Sequence, residues 1–123
     1  MKLYDSFYVM HVMHAGATGA RFVVHLNPDH EIFAAHFPGN PITPGVCQIA
    51  MVRELATRYT RLHLTLHHIA SIKYQNLLKP DGQSLVTISL DNVHADEDGN
   101  VALQATVSDE HTTYTKMSLT FSL

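Results

Sequence analysis

The sequence predicts an α+β fold in which one antiparallel β-sheet wraps around a single long α-helix. Three observations carry that expectation. An amphipathic stretch with Ile49, Val52, Ala56 and Tyr59 at steps of three and four, widened by Leu55 and Leu62, has the apolar stripe of a helix. Strand-like segments separated by turn signals occupy everything after it. Two more strand-like segments and a proline-rich loop come before it.

Taken in order, residues 5–14 and 20–26 are rich in Val, Phe and Tyr and flank AGATG, whose two glycines suit a hairpin turn. Pro44 and Gly45 start the helix, because proline lacks only an N–H that the first helical turn leaves unpaired in any case. The periodicity gives that helix about four turns. Downstream, IASIKYQNLL leads through the turn KPDG into LVTISLDNV, and the turn ADEDGN leads into VALQATVSD. The last segment, YTKMSLTFSL, alternates Met117, Leu119, Phe121 and Leu123. Meandering strands favour an antiparallel sheet, and one helix covers only one of its faces.

Composition bounds the function. The 123 residues suit one domain spanning 1–123, long enough to bury a core. A lone cysteine, Cys47, excludes an internal disulfide, so nothing calls for an oxidising compartment. The N-terminal apolar patch, broken by Asp5, His11 and His14, is too short and too polar for a signal peptide or membrane span. These features point to a cytoplasmic protein with no membrane partner. A net charge of −3 with scattered basic residues leaves no footprint for nucleic acid.

The most informative stretch is HFPGNPITPGV, residues 36–46. Pro38, Pro41 and Pro44 each fix φ and push the preceding residue toward extended geometry, so the loop is stiff. His36 stands at its mouth, and the helix it leads into offers free backbone N–H groups and the positive end of its dipole. An imidazole base beside such donors is equipped to remove a proton next to a carbonyl while the helix terminus steadies the developing enolate oxygen. The competing reading is that His36 caps a turn.

The same segment resembles the signature HFPG-x-P-x-x-PGV of the hotdog-fold 3-hydroxyacyl-acyl carrier protein dehydratases, the FabA/FabZ-like family. The likeness extends upstream through LNPDHEIFAAHFPG and downstream through IKYQNLLKPDGQSLVTISL, close to the whole chain. It implies a hotdog fold, His36 as the catalytic histidine and the Gly45 N–H as the group that polarises a thioester carbonyl. Phe37, Pro38, Val46, Gln48 and Ala50 are implied to line the substrate. It further implies a homodimer or higher even oligomer with active sites at the subunit interface, an acyl carrier protein or coenzyme A thioester as substrate, and a place in fatty acid or related acyl-chain biosynthesis.

One position departs from the pattern. The family places a Glu or Asp on the central helix fourteen residues after the histidine, and that position is Ala50. Dehydration needs a base at C2 and a proton donor for the departing hydroxyl, and a methyl group is neither. On the helix, Gln48 lies about 200° around the axis from position 50, whereas Glu54 is one turn on and about 40° away. Helical side chains lean toward the N-terminus, so Glu54 is the candidate displaced acid, a carboxyl kept protonated by an apolar tunnel. The alternative is a surface ion pair of Glu54 with Arg58.

The absent acid keeps two other function classes open: a hotdog acyl thioesterase using Gln48 or Glu54 with the Gly45 N–H, and a non-catalytic acyl-thioester-binding subunit. Retention of His36 in an intact loop favours dehydration. His63, His67 and His68 have a spacing that two metal ligands could share on a helix, but the strand-like residues that follow mark them as solvated loop histidines, and no metal is expected. No glycine-rich phosphate loop occurs, so no nucleotide, flavin or other cofactor is expected. Cys47 reads as an inert buried thiol. Tyr4, Phe7 and Tyr8 read as core. Arg53, Arg58, Arg61, Lys73 and Lys79 are the cations available to an acidic carrier protein.

Overall fold

The computed structural model describes residues 1–81 and 83–123. Among the described residues, six strands and two helices follow one another as β1 (Tyr8–Ala15), β2 (Ala20–Leu26), α1 (Glu31–Ala35), α2 (Gly45–Thr60), β3 (Thr65–Tyr74), β4 (Leu85–Ala95), β5 (Val101–Ser108) and β6 (Thr113–Ser122). The strands form one sheet in the order β1-β2-β4-β5-β6-β3, with every neighbouring pair antiparallel. This is the hotdog arrangement expected from the sequence, a sheet curled around the central helix α2.

Strand alternation decides which residues meet α2. Along β5 and β6, Val101, Leu103, Ala105 and Val107 and then Thr115, Met117, Leu119 and Phe121 are buried, while the residues between them reach toward solvent. The helix answers with Cys47, Met51, Val52, Leu55 and Ala56. Burial of this set is the main term holding α2 in the sheet, at roughly 25 cal/mol per Å² of apolar surface removed from water. The observed stripe differs from the expected one at its edges. Ile49 is only half-buried, Leu62 lies beyond the helix and is 40 % exposed, and Met51 takes the central place.

The N-terminal aromatics are core, as expected: Phe7 and Tyr8 are fully buried, and Phe7 stacks on Phe33 with ring centroids 4.7 Å apart. Two corrections concern local structure. The segment before the proline loop contains a short helix, α1, capped by His30, whose Nδ1 accepts from the Ile32 N–H at 3.1 Å. The third strand begins at Thr65 rather than Ile69 and ends at Tyr74. The ADEDGN turn forms as expected, with the Asp96 carboxylate accepting from the Asp98 and Asn100 N–H groups. The KPDG turn includes Gly82, which lies outside the described residues.

The two strands at the ends of the sheet remain uncovered. In β3 nine of ten residues are exposed, with Leu66 and Ile69 among them, and β1 exposes Val9, Val12 and Met13. No helix among the described residues is long and apolar enough to cross a membrane.

Candidate active site

The site is built where α1 ends and α2 begins. His36 is the C-cap of α1: its backbone N–H donates to the Ile32 carbonyl at 2.9 Å, and its ring Nδ1 lies 3.2 Å from the same oxygen. A ring nitrogen facing a carbonyl oxygen is the protonated one, so Nε2 is left as the acceptor. The capping role and the role of a base are therefore compatible, because the cap uses one nitrogen and leaves the other. The ring is exposed and packs edge-on against Phe37, with centroids 5.5 Å apart.

The loop after His36 is fixed by more than its prolines. Phe37 and Asn40 exchange backbone hydrogen bonds, and Gly39, at φ +74°, takes the left-handed position that Pro38 ahead of it sets up. The Ile42 N–H donates to the His36 carbonyl at 2.9 Å, and the Thr43 N–H donates to the Leu78 carbonyl at 2.7 Å. These bonds carry the chain from the histidine into α2.

Pro44 is the N-cap of α2, and it brings no side-chain acceptor. The N–H groups of Gly45 and Val46 therefore point out of the helix end with no intrahelical partner. A cavity of about 200 Å³ opens beside them, lined by Ile42, Thr43, Gly45, Gln48, Tyr74 and Leu77 among others. Its connection to His36 is the Ile42 hydrogen bond. A larger groove of about 490 Å³ beside Leu85 and His111 is lined by none of the residues of this loop.

The expected site residues distribute as follows. Gly45 and Gln48 share the cavity. Gln48 is 3 % exposed, and its Oε1 accepts from the Thr115 hydroxyl at 2.5 Å, so the side chain is anchored to β6 with its NH₂ end left over. Phe37 and Val46 are 53 % and 63 % exposed, and Pro38 is exposed beside them in sequence. Ala50 is half-buried and packs against the core, presenting a methyl where the family pattern has an acid.

Glu54 has its carboxylate engaged inside the chain. One oxygen accepts from the Leu3 N–H at 2.8 Å and the other from the Tyr8 hydroxyl at 3.1 Å. Burial, reinforced by this carboxylate, pushes the Tyr8 phenol far above its ordinary value. The alternative pairing with Arg58 does not form: the Arg58 guanidinium lies over the Tyr4 ring, 3.6 Å from its centroid.

Sequence reasoning missed Tyr74. It stands at the end of β3, twenty-nine residues after Gly45, yet a Cβ on Gly45 would come within 2.6 Å of its Cζ atom. Any side chain at position 45 would push aside the tip of this ring, which is 52 % exposed. The histidines of the H-x3-HH spacing do not share a helix, since α2 ends at Thr60 and His67 and His68 are consecutive on β3. Cys47 is buried, which pushes its thiol up and makes it a poor nucleophile.

With this geometry in place, comparison with known proteins identifies the family. The model of the ApeI-like family, described as ApeI dehydratase, matches residues 13–117. The chain belongs to the ApeI-like dehydratase family. Comparison with curated proteins gives no match. Among solved structures, the dehydratase heterocomplex ApeI:P from Xenorhabdus doucetiae is similar with a TM-score of 0.78 and 22 % identity, over 94 % of this chain and 97 % of that one. An uncharacterized protein from Erwinia carotovora subsp. atroseptica has a TM-score of 0.68 and 23 % identity, over 93 % and 92 %. A thioesterase candidate, yhdA of Lactococcus lactis, has a TM-score of 0.64 and 13 % identity, over 94 % and 91 %. At these identities the structural likenesses speak for the fold.

Proposed function

We propose that this chain dehydrates 3-hydroxyacyl thioesters carried on acyl carrier protein or coenzyme A, in fatty acid or related acyl-chain biosynthesis. The observation that carries the reading is the state of His36, whose Nδ1 is committed to the Ile32 carbonyl and whose Nε2 is free at the mouth of the loop leading to the open end of α2. Nε2 takes a proton from C2, and the C–H electron pair moves toward the thioester carbonyl oxygen, held by the Gly45 N–H. As the pair returns to form the C2–C3 double bond, the C3–O bond breaks. The departing hydroxyl takes the proton back from the imidazolium and leaves as water. One histidine thus closes the proton balance without an acid at position 50.

Phe37, Pro38, Val46, Gln48 and Ala50 line the substrate in this reading. For Glu54 to act as the displaced acid it must first give up Leu3 or Tyr8, and its substitution decides the point. The long, uncovered edge of β3 suits pairing with the same strand of a second copy in a homodimer. Lys73, adjacent to Tyr74, faces Lys116 across the strands, a like-charge pair that an acidic carrier would relieve.

The thioesterase likeness and the missing acid favour one second reading, hydrolysis of the thioester. An assay with a 3-hydroxyacyl carrier-protein thioester, following enoyl product and free thiol together, tests both. Enoyl product that disappears in His36→Ala is the expected result. Free thiol without enoyl product replaces dehydration by hydrolysis, and neither product leaves a non-catalytic binding subunit.

A further inference from the structure

The cavity at the start of α2 contains more polar groups than the proposed reaction has used. Thr43 is 3 % exposed, and its Oγ1 has no hydrogen-bond partner among the described residues. A buried hydroxyl in that state calls for a water or a ligand atom. Tyr8, Tyr59 and Tyr114 donate their hydroxyls to Glu54, the Gly16 carbonyl and Asp109. Tyr74 instead lays its hydroxyl against Gly45 in the cavity that Thr43 lines, with no acceptor among the described residues. Burial pushes this phenol up, so it keeps its proton, and with it its capacity to donate, at neutral pH.

We infer that the Tyr74 hydroxyl is a second donor to the substrate's thioester carbonyl, beside the Gly45 N–H, in the cavity that Thr43 also lines. This rests on the thioester reading above. A neutral phenol paired with a backbone N–H is suited to an oxygen that gains charge when His36 removes the C2 proton, because both donors are positioned before the charge develops. The ring also explains why position 45 is glycine, since a side chain there would displace the donor. Sequence position hides the assignment, because Tyr74 reaches the helix end only after β3 has joined the far side of the sheet.

Wild type and Tyr74→Phe are compared with a 3-hydroxyacyl pantetheine thioester for turnover. They are also compared by infrared spectroscopy with a bound saturated acyl pantetheine thioester, for the carbonyl stretch. The expected result is a fall in kcat of about a hundredfold with KM changed less than about twofold, the cost of one donor of this kind. The bound carbonyl stretch, lowered in wild type, is expected to move back toward its free value in the variant. Equal stretches in the two proteins overturn the inference, since a ring that merely packs would leave the carbonyl untouched.

If wild type makes no enoyl product, the dehydratase reading fails, while the stretch still decides for or against Tyr74. Should Tyr74→Phe not fold, replacing Tyr74 by a fluorinated tyrosine keeps the ring and strengthens the donor. The bound stretch then falls further if Tyr74 touches the carbonyl, and an unmoved stretch overturns the inference.

Discussion

The first and third turns of α2 differ in how their polar groups are satisfied. At the first turn, the Gly45 and Val46 N–H groups lack helical partners, and among the described residues the buried Thr43 hydroxyl has no partner and the Tyr74 hydroxyl no acceptor. At the third, Glu54 has both oxygens taken, by the Leu3 N–H and the Tyr8 hydroxyl. Donors in excess are what a substrate oxygen requires, whereas a carboxylate with its acceptors filled ties a chain segment in place. The helix end thus keeps donors to spare, while Glu54 ties Leu3 and Tyr8 of the N-terminal segment to the helix.

The largest effect that could break this comparison comes from His36→Ala, which is expected to lower enoyl formation by about a thousandfold, the upper-middle of the range for losing a general acid and base. Its melting temperature should stay near that of wild type, because the side chain is exposed. Turnover that survives would move the chemistry elsewhere on the molecule. Gly45→Ala follows: its new methyl meets the Tyr74 ring, within 2.6 Å of Cζ, and because that ring is half exposed and can swing aside, the variant is expected to lose turnover with little change in a chemical melt.

Glu54→Gln sharpens the contrast. Losing a charged acceptor from two bonds should cost about 1–2 kcal/mol of stability while kcat stays within about threefold. The opposite pattern, intact stability with collapsed turnover, would restore Glu54 as the displaced acid. The smallest effect concerns pH. Tyr8 and Tyr74 both titrate above the ordinary value of 10.0, so their folded forms bind the proton more tightly than the unfolded chain does. The stability they contribute is complete below about pH 10 and is lost as pH rises through the folded values. Tyr8→Phe is expected to flatten that alkaline decline, measured as melting temperature against pH from 8 to 11.

Much of the candidate site was legible in the sequence. The prolines and glycines of residues 36–46 fix a loop whatever surrounds them, and the 3.6-residue stripe after it places a helix with an open N-terminus. Local patterning falls short where tertiary contacts rule: the cap of α1 is a histidine rather than one of the usual capping residues, and Met51 is buried while Ile49 only borders the core. Helix geometry singles out Glu54 as the candidate displaced acid, and the structure shows its carboxylate accepting from two other segments. Its partners lie fifty-one and forty-six residues away, beyond any reading of spacing.

The fold class, the stiff loop, the histidine at its mouth and the absence of an acid at position 50 are all readable without coordinates. All of these follow from residue type and from interactions a few positions apart. Which polar groups find partners depends on how the folded chain packs. That packing gives Glu54 to Leu3 and Tyr8, Gln48 to Thr115, and leaves Thr43 and Tyr74 facing a cavity at the helix end. Hydrogen-bond satisfaction is a property of whole-chain packing: each donor is claimed or left free by segments that meet only when the sheet closes around the helix.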